Sequence, residues 1–188
     1  MNIPSGNTLS ANEQAFSLHR YQIKYTYGFF SLFEFGLRTD FDRSTTLESI
    51  SKALTYNLKV RLMTEDASFC NAGAGFEGNN VFFSVDKEFS WLGGLRLVAG
   101  AGTQRFNMFF LGISYPVHPV FNVMAEYDGS DLNVGGRLRL SKNVNFDLYL
   151  KGLKRITTYP YLNEIIDNTV IFGITYSELF YFSLGGVR

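Results

Sequence analysis

A chain of 188 residues carrying 17 basic and 17 acidic side chains and a single cysteine excludes several classes at once. It has no basic surplus for electrostatic nucleic-acid binding and no second thiol for a disulfide scaffold, and its 46% apolar content is too high for intrinsic disorder. Charged residues reach only 18%, against roughly 25% in an ordinary soluble domain, while 19 Phe, 11 Tyr and one Trp bring the aromatics to 16%. The mean hydropathy is nonetheless near zero.

Residues 1–7, Met-Asn-Ile-Pro-Ser-Gly-Asn, carry neither the basic n-region nor the apolar h-region of a leader peptide. No stretch approaches the roughly 18 consecutive apolar residues of a spanning helix; the best candidate, Tyr27–Leu37, is interrupted by Glu34 and by Gly28 and Gly36. The dominant period is two, which predicts strands. They fall at 14–24, 28–39, 53–64, 69–76, 80–88, 92–103, 106–115, 119–128, 131–141, 143–153, 168–177 and 180–187. That makes twelve, or ten if 69–76 or a terminal segment does not pair.

Between the second and third of these, Asp40–Lys52 contains Thr45-Thr46-Leu47-Glu48, a capping-box pattern for one short helical turn. Further on, Phe121, Val123, Ala125 and Tyr127 alternate with Asn122, Met124, Glu126 and Asp128. The turn Asp128-Gly129-Ser130-Asp131 has hairpin chemistry, because Gly supplies positive φ at little cost. Leu132, Val134, Gly136, Leu138 and Leu140 then share one face, opposite Asn133, Gly135, Arg137 and Arg139. After Ser141-Lys142-Asn143 the alternation resumes, with Val144, Phe146, Leu148 and Leu150 against Asn145, Asp147, Tyr149 and Lys151. Ile156–Asp167, with Tyr159-Pro160-Tyr161, reads as an exposed loop. Most connections are short, which forces antiparallel neighbours. No linker or change of composition divides the chain, so residues 1–188 form one domain.

An antiparallel meander of this size hides its edges completely only by closing. In a soluble barrel the apolar face points inward; in a membrane barrel it points outward. Three features favour the second. One face of most strands is aliphatic or aromatic throughout, as in Leu54, Tyr56, Leu58, Val60 and Leu62, or Phe109, Leu111, Ile113 and Tyr115. The other carries both signs of charge on neighbouring strands: Glu126 and Asp128, then Arg137 and Arg139, then Asp147 and Lys151. Aromatics also mark strand ends at Tyr25, Tyr27, Trp91, Tyr115, Tyr127, Tyr159, Tyr161, Tyr176 and Phe180, where interfacial girdles would place them. A lipid-facing Arg costs roughly 2–4 kcal/mol at the midplane, so Arg137 and Arg139 must face inward in a bilayer. The competing reading is a soluble or periplasmic barrel that binds a small apolar ligand.

Several segments resemble the YjbH-like outer-membrane β-barrel proteins, a bacterial group associated with exopolysaccharide loci. They are residues 2–9, Asn-Ile-Pro-Ser-Gly-Asn-Thr-Leu; residues 58–65, Leu-Lys-Val-Arg-Leu-Met-Thr-Glu; Gly93-Gly94-Leu95-Arg96-Leu97 with Gly100-Ala101-Gly102-Thr103; and residues 124–135, Met-Ala-Glu-Tyr-Asp-Gly-Ser-Asp-Leu-Asn-Val-Gly. The last is similar to that family's hairpin of acidic strand, Tyr-Asp-Gly turn and Asn-x-Gly strand. The resemblance runs over residues 2 to about 154 and implies an outer-membrane location, with polysaccharide or other envelope proteins as partners beside membrane lipid. It supplies no catalytic residues. One departure is the terminal Gly186-Val187-Arg188, where such proteins usually end on an aromatic residue.

Other motifs have plainer explanations. Gly73-Ala74-Gly75-Phe76-Glu77-Gly78 matches G-x-G-x-x-G, but a strand follows it where a dinucleotide site needs a helix. His19 and His118 lack companions at metal spacing, no G-x-S-x-G elbow is present, and Cys70 reads as a small hydrophobe. Asp40, Asp42 and Arg43 read as a solvated loop. No enzyme activity, metal or cofactor is expected. The constellation carried forward is the inward charge set Glu126, Asp128, Arg137, Arg139, Asp147 and Lys151, expected as a network that stiffens a charge-lined lumen with a structural or transport role.

Overall fold

The sharp alternation of apolar and polar residues closes into a single cylinder of strands. The computed structural model describes residues 5, 8–20, 22–40, 54–153 and 169–179. Its strands are β1 (Glu13–His19), β2 (Gln22–Phe29), β3 (Phe33–Asp40), β4 (Leu54–Met63), β5 (Asn71–Glu77), β6 (Asn80–Phe89), β7 (Leu95–Gly102), β8 (Met108–His118), β9 (Phe121–Tyr127), β10 (Leu132–Arg139), β11 (Val144–Leu150) and β12 (Val170–Leu179). Each strand pairs antiparallel with its sequence neighbours, and β12 returns to β1, so the barrel is closed. Two short 3₁₀ turns, Ser90–Leu92 and Gln104–Phe106, precede β7 and β8.

The expected twelve-stranded antiparallel barrel is therefore present, though its first strands are divided differently. The predicted strand 14–24 spans β1, a turn and the start of β2, and 28–39 spans the end of β2 and all of β3. The turn between β2 and β3 places Phe30 and Ser31 at φ 53°, a left-handed conformation usually signalled by Gly or Asn. The predicted strand at 180–187, the capping box at 45–48, Asp42, Arg43 and the 156–167 loop lie outside the described residues, as do Tyr159, Tyr161 and Phe180.

The faces are arranged as a membrane barrel requires. On β4, Leu54, Tyr56 and Leu62 are exposed while Asn57 and Lys59 are buried. The same split recurs around the wall: Phe83, Leu97, Phe109, Leu111, Ile113, Leu138, Leu148, Phe172 and Ile174 are exposed, whereas Glu34, Ser84, Asp86, Glu126, Asn133 and Asp147 are buried. Large apolar side chains are the ones left outside, the reverse of a soluble domain. This is the transmembrane type of barrel. Outward-facing charges on the described strands, Lys87 and Glu178, lie near strand ends, where a side chain reaches the headgroup level. Trp91 is 79% exposed in the turn after β6, in keeping with a girdle position. Tyr25, Tyr115 and Tyr176 face outward within strands rather than at their ends.

The two rims differ. One holds the start of β1, the end of β12 and only short connections, the longest being 64–70. The other carries the two longest connections, 41–53 and 151–169.

Candidate functional site: the barrel lumen

Inward positions alternate by register, so a paired residue on the next strand also faces inward. Arg137 pairs with Asp147, Asp147 with Gly173, and Gly173 with His19. These four positions form one transverse row. Arg137 donates from Nε to Asp147 Oδ1 at 2.6 Å and from Nη2 to Oδ2 at 3.2 Å. Thr175 Oγ1 donates to the same carboxylate at 3.2 Å, and His19 Nε2 lies 3.2 Å from Oδ2. Gly173 makes that reach possible, because a Cβ there would stand 1.8 Å from His19 Cδ2. Asp147 itself has no exposed side-chain surface. A carboxylate removed from water is stable only when it is paired and hydrogen-bonded, as this one is.

A second group forms around Asn133, which is 2% exposed. Its Nδ2 donates to Glu126 Oε1 and Asp128 Oδ2, each at 3.3 Å, and its Oδ1 accepts from the Gly152 N–H at 2.8 Å. Asp128 lies beyond the end of β9 in the hairpin turn, where it also accepts from the N–H groups of Ser130 and Asp131. Burial there raises its pKa, but the turn hydrogen bonds outweigh burial and hold the carboxyl below its ordinary range.

The six residues anticipated from the sequence thus separate into three situations. Arg137 and Asp147 pair directly, and Glu126 and Asp128 share Asn133. Arg139 and Lys151 are exposed at the ends of neighbouring antiparallel strands, and so at opposite rims.

The structure adds charges that the sequence reading passed over. Lys59 Nζ lies 3.1 Å from Glu34 Oε2, with both side chains largely buried. Arg38 pairs with Glu77 and, at 2.7 Å, with Asp40. Arg96 meets Asp86 at 2.6 Å, and Asn71 donates to the same carboxylate at 3.0 Å. Glu34 interrupts an otherwise apolar run, and that interruption was the signal of an inward position. At the rim with short turns, Lys87 pairs with Glu65 at 2.6 Å, and this hydrogen bond lowers the Glu65 pKa.

The lumen is not an empty tube. Phe82, Val98, Phe106 and Phe110 form an apolar cluster inside the β6–β8 wall, with Phe106 and Phe110 fully buried. Phe106 belongs to the turn before β8, folded inward over Phe82 and Phe110 with ring centroids 6.0 and 4.9 Å away.

Residues ahead of β1 also enter. Thr8 Oγ1 donates to Ser31 O at 3.0 Å, and the Leu9 N–H donates to Glu34 Oε2 at 3.2 Å. Ser84 Oγ, on β6 nearly opposite β1 in the ring, donates to Ser5 O at 2.9 Å. These residues form a strap that crosses the lumen. Gly28 accommodates it, since a Cβ there would lie 2.3 Å from Ser10 O and 2.8 Å from Leu9 Cβ. Between strap and wall remains a cavity of about 460 Å³, bordered by Ser5, Thr8 and Leu9 and by polar side chains of the wall.

No family model and no curated protein matches the sequence, so the resemblance to YjbH-like proteins rests on the segments quoted above. Among solved structures the chain is similar to a triple mutant of the Rhodopseudomonas blastica porin, at 11% identity and TM-score 0.40, over 84% of this chain and 55% of that one. It is also similar to the KdgM porin in complex with disordered oligogalacturonate, at 10% identity and TM-score 0.45, over 90% of this chain and 98% of that one. The chain spans about half the length of the Rhodopseudomonas porin.

Proposed function

We propose that this chain is a bacterial outer-membrane barrel with a transport role, a narrow pore whose charged lumen admits small polar solutes. The observation that carries the reading is the inversion of faces: apolar side chains outside, ion pairs and a polar cavity within. The same inversion argues against a soluble barrel for apolar ligands, which would need an apolar lining and a charged exterior. Membrane lipid is then the partner of the outer wall. The rim with short turns, where β1 starts and β12 ends, faces the periplasm, and the long connections 41–53 and 151–169 face outward, following the usual asymmetry of such barrels. Long connections on the outer side are where polysaccharide or another envelope protein would meet the barrel, in line with the YjbH-like resemblance. The charge network, Arg137 and Asp147 above all, holds the wall rigid and sets which ions enter, and the chain works by passage rather than catalysis.

Planar-bilayer recording tests the reading. Refolded protein should insert and give small, discrete conductance steps, small because the strap and the Phe106 cluster fill part of the lumen. Correctly folded protein that gives no steps would contradict the transport role, and protein that is monodisperse in plain buffer would contradict the membrane setting.

A further inference from the structure

The charges that line the cavity are unequally accessible. Lys24, Arg38, Lys59, Arg96 and Arg137 border it, whereas among the described residues only Glu34 and Glu77 border it with the opposite sign. We propose that this cavity binds small anionic solutes bearing carboxylate or phosphate groups, a proposal that rests on the pore reading above and names its solute class.

The asymmetry comes from how two ion pairs are built into the wall. Asp86 and Asp147 have no exposed side-chain surface, while their partners Arg96 and Arg137 each keep 35%. Each arginine turns Nε and Nη2 toward its aspartate. What a solute meets is therefore guanidinium and not carboxylate. Glu34 and Glu77, the two acids at the cavity surface, are already bridged by Lys59 and Arg38.

A guanidinium held by a wall carboxylate has lost most of its rotamer freedom before a ligand arrives. Its remaining N–H donors suit the planar carboxylate or the phosphate oxygens, and low-dielectric walls concentrate its field in the opening. Ser17, Gln22 and Thr26 add neutral hydrogen-bonding groups to the same lining. The volume of about 460 Å³ falls within the roughly 300–1,000 Å³ of small-molecule sites.

The test is calorimetric titration of inorganic phosphate into the full chain refolded in detergent, at constant ionic strength. Two variants accompany it: Lys24→Gln, and Arg96→Gln combined with Asp86→Asn. The second removes a whole pair, so no lone buried carboxylate remains to unfold the wall. Saturable phosphate binding in the native chain, weakened about fivefold or more by each variant, is the expected result; tetramethylammonium should not bind. Should the double variant fail to fold, Lys24→Gln carries the comparison alone. Absence of saturable phosphate binding, or binding that neither variant weakens, would overturn the proposal. In a potassium chloride gradient the reversal potential should show chloride preference, and potassium preference would likewise overturn it. Phosphate binding without any bilayer current would contradict the transport role while supporting this site.

Discussion

Replacing Asp147 by Ala should destabilise the barrel strongly. The side chain has no exposed surface and accepts two hydrogen bonds from Arg137 and one from Thr175, with His19 Nε2 also within 3.2 Å. Breaking a buried ion pair by deleting one partner costs roughly 3–5 kcal/mol, chiefly because the other charge is stranded. Arg137 keeps 35% of its side-chain surface and can rehydrate in part, so the lower end applies, about 3 kcal/mol. That is about a hundredfold in the folding equilibrium. With a slope of about 1–3 kcal/mol per molar urea, the midpoint should fall by roughly 1–3 M. Urea titration in lipid vesicles, read by the heat-modifiable mobility of folded barrels on gels, measures it. Arg137→Met on top of Asp147→Ala should recover most of the loss. A cost below about 1 kcal/mol for Asp147→Ala, or additive costs in the double variant, would refute the reasoning, because the pair would then not be coupled.

Other expectations concern the wall and the filling of the lumen. Leu148 is exposed on the outer face, and Leu148→Arg should cost about 2–4 kcal/mol in bilayer folding, whereas Arg137→Met combined with Asp147→Asn, which removes an inward-facing pair without stranding a buried carboxylate, should leave insertion itself intact. Phe106→Ala removes a fully buried ring from the cluster with Phe82, Val98 and Phe110. It should cost about 3–5 kcal/mol and raise single-channel conductance by widening the β6–β8 side. Deleting residues 1–9 removes the strap anchored on Ser84, Ser31 and Glu34; conductance should rise severalfold while the gel mobility of the folded form persists. Unchanged conductance after the deletion would mean that the strap does not obstruct the path.

How far the fold could be read depended on how openly each segment declared its turns. Between 80 and 179 the strands lie within a few residues of where alternation places them, because Gly78, Gly93, Gly129 and Ser141-Lys142-Asn143 punctuate them. The first three strands were harder. The turn at Arg20 carries no Gly or Pro, and the turn at Phe30 and Ser31 takes a left-handed conformation with residues that do not advertise it. Gly28, read as an interruption, makes room for the strap instead. Within the lumen, the pairing of Arg137 with Asp147 follows from local hairpin register, since β10 and β11 are neighbours. Asp86 with Arg96 is just as local, on adjacent β6 and β7, whereas Glu34 and Lys59 lie on either side of the long 41–53 connection, so their pairing does not follow from a short hairpin. The link from His19 to Asp147 depends on closure between β1 and β12, and no sequence period encodes a pairing that distant.

The most direct test of the inverted faces uses the lone tryptophan as a starting point. In a Trp91→Phe background, Leu148→Trp and Tyr149→Trp place a single indole on adjacent positions of β11, one facing outward and one into the lumen. In vesicles of phospholipids with brominated acyl chains, the indole at 148 should be strongly quenched and the one at 149 should not. Equal quenching at both positions, or stronger quenching at 149, would contradict a barrel whose apolar face meets lipid and whose charged face lines the lumen.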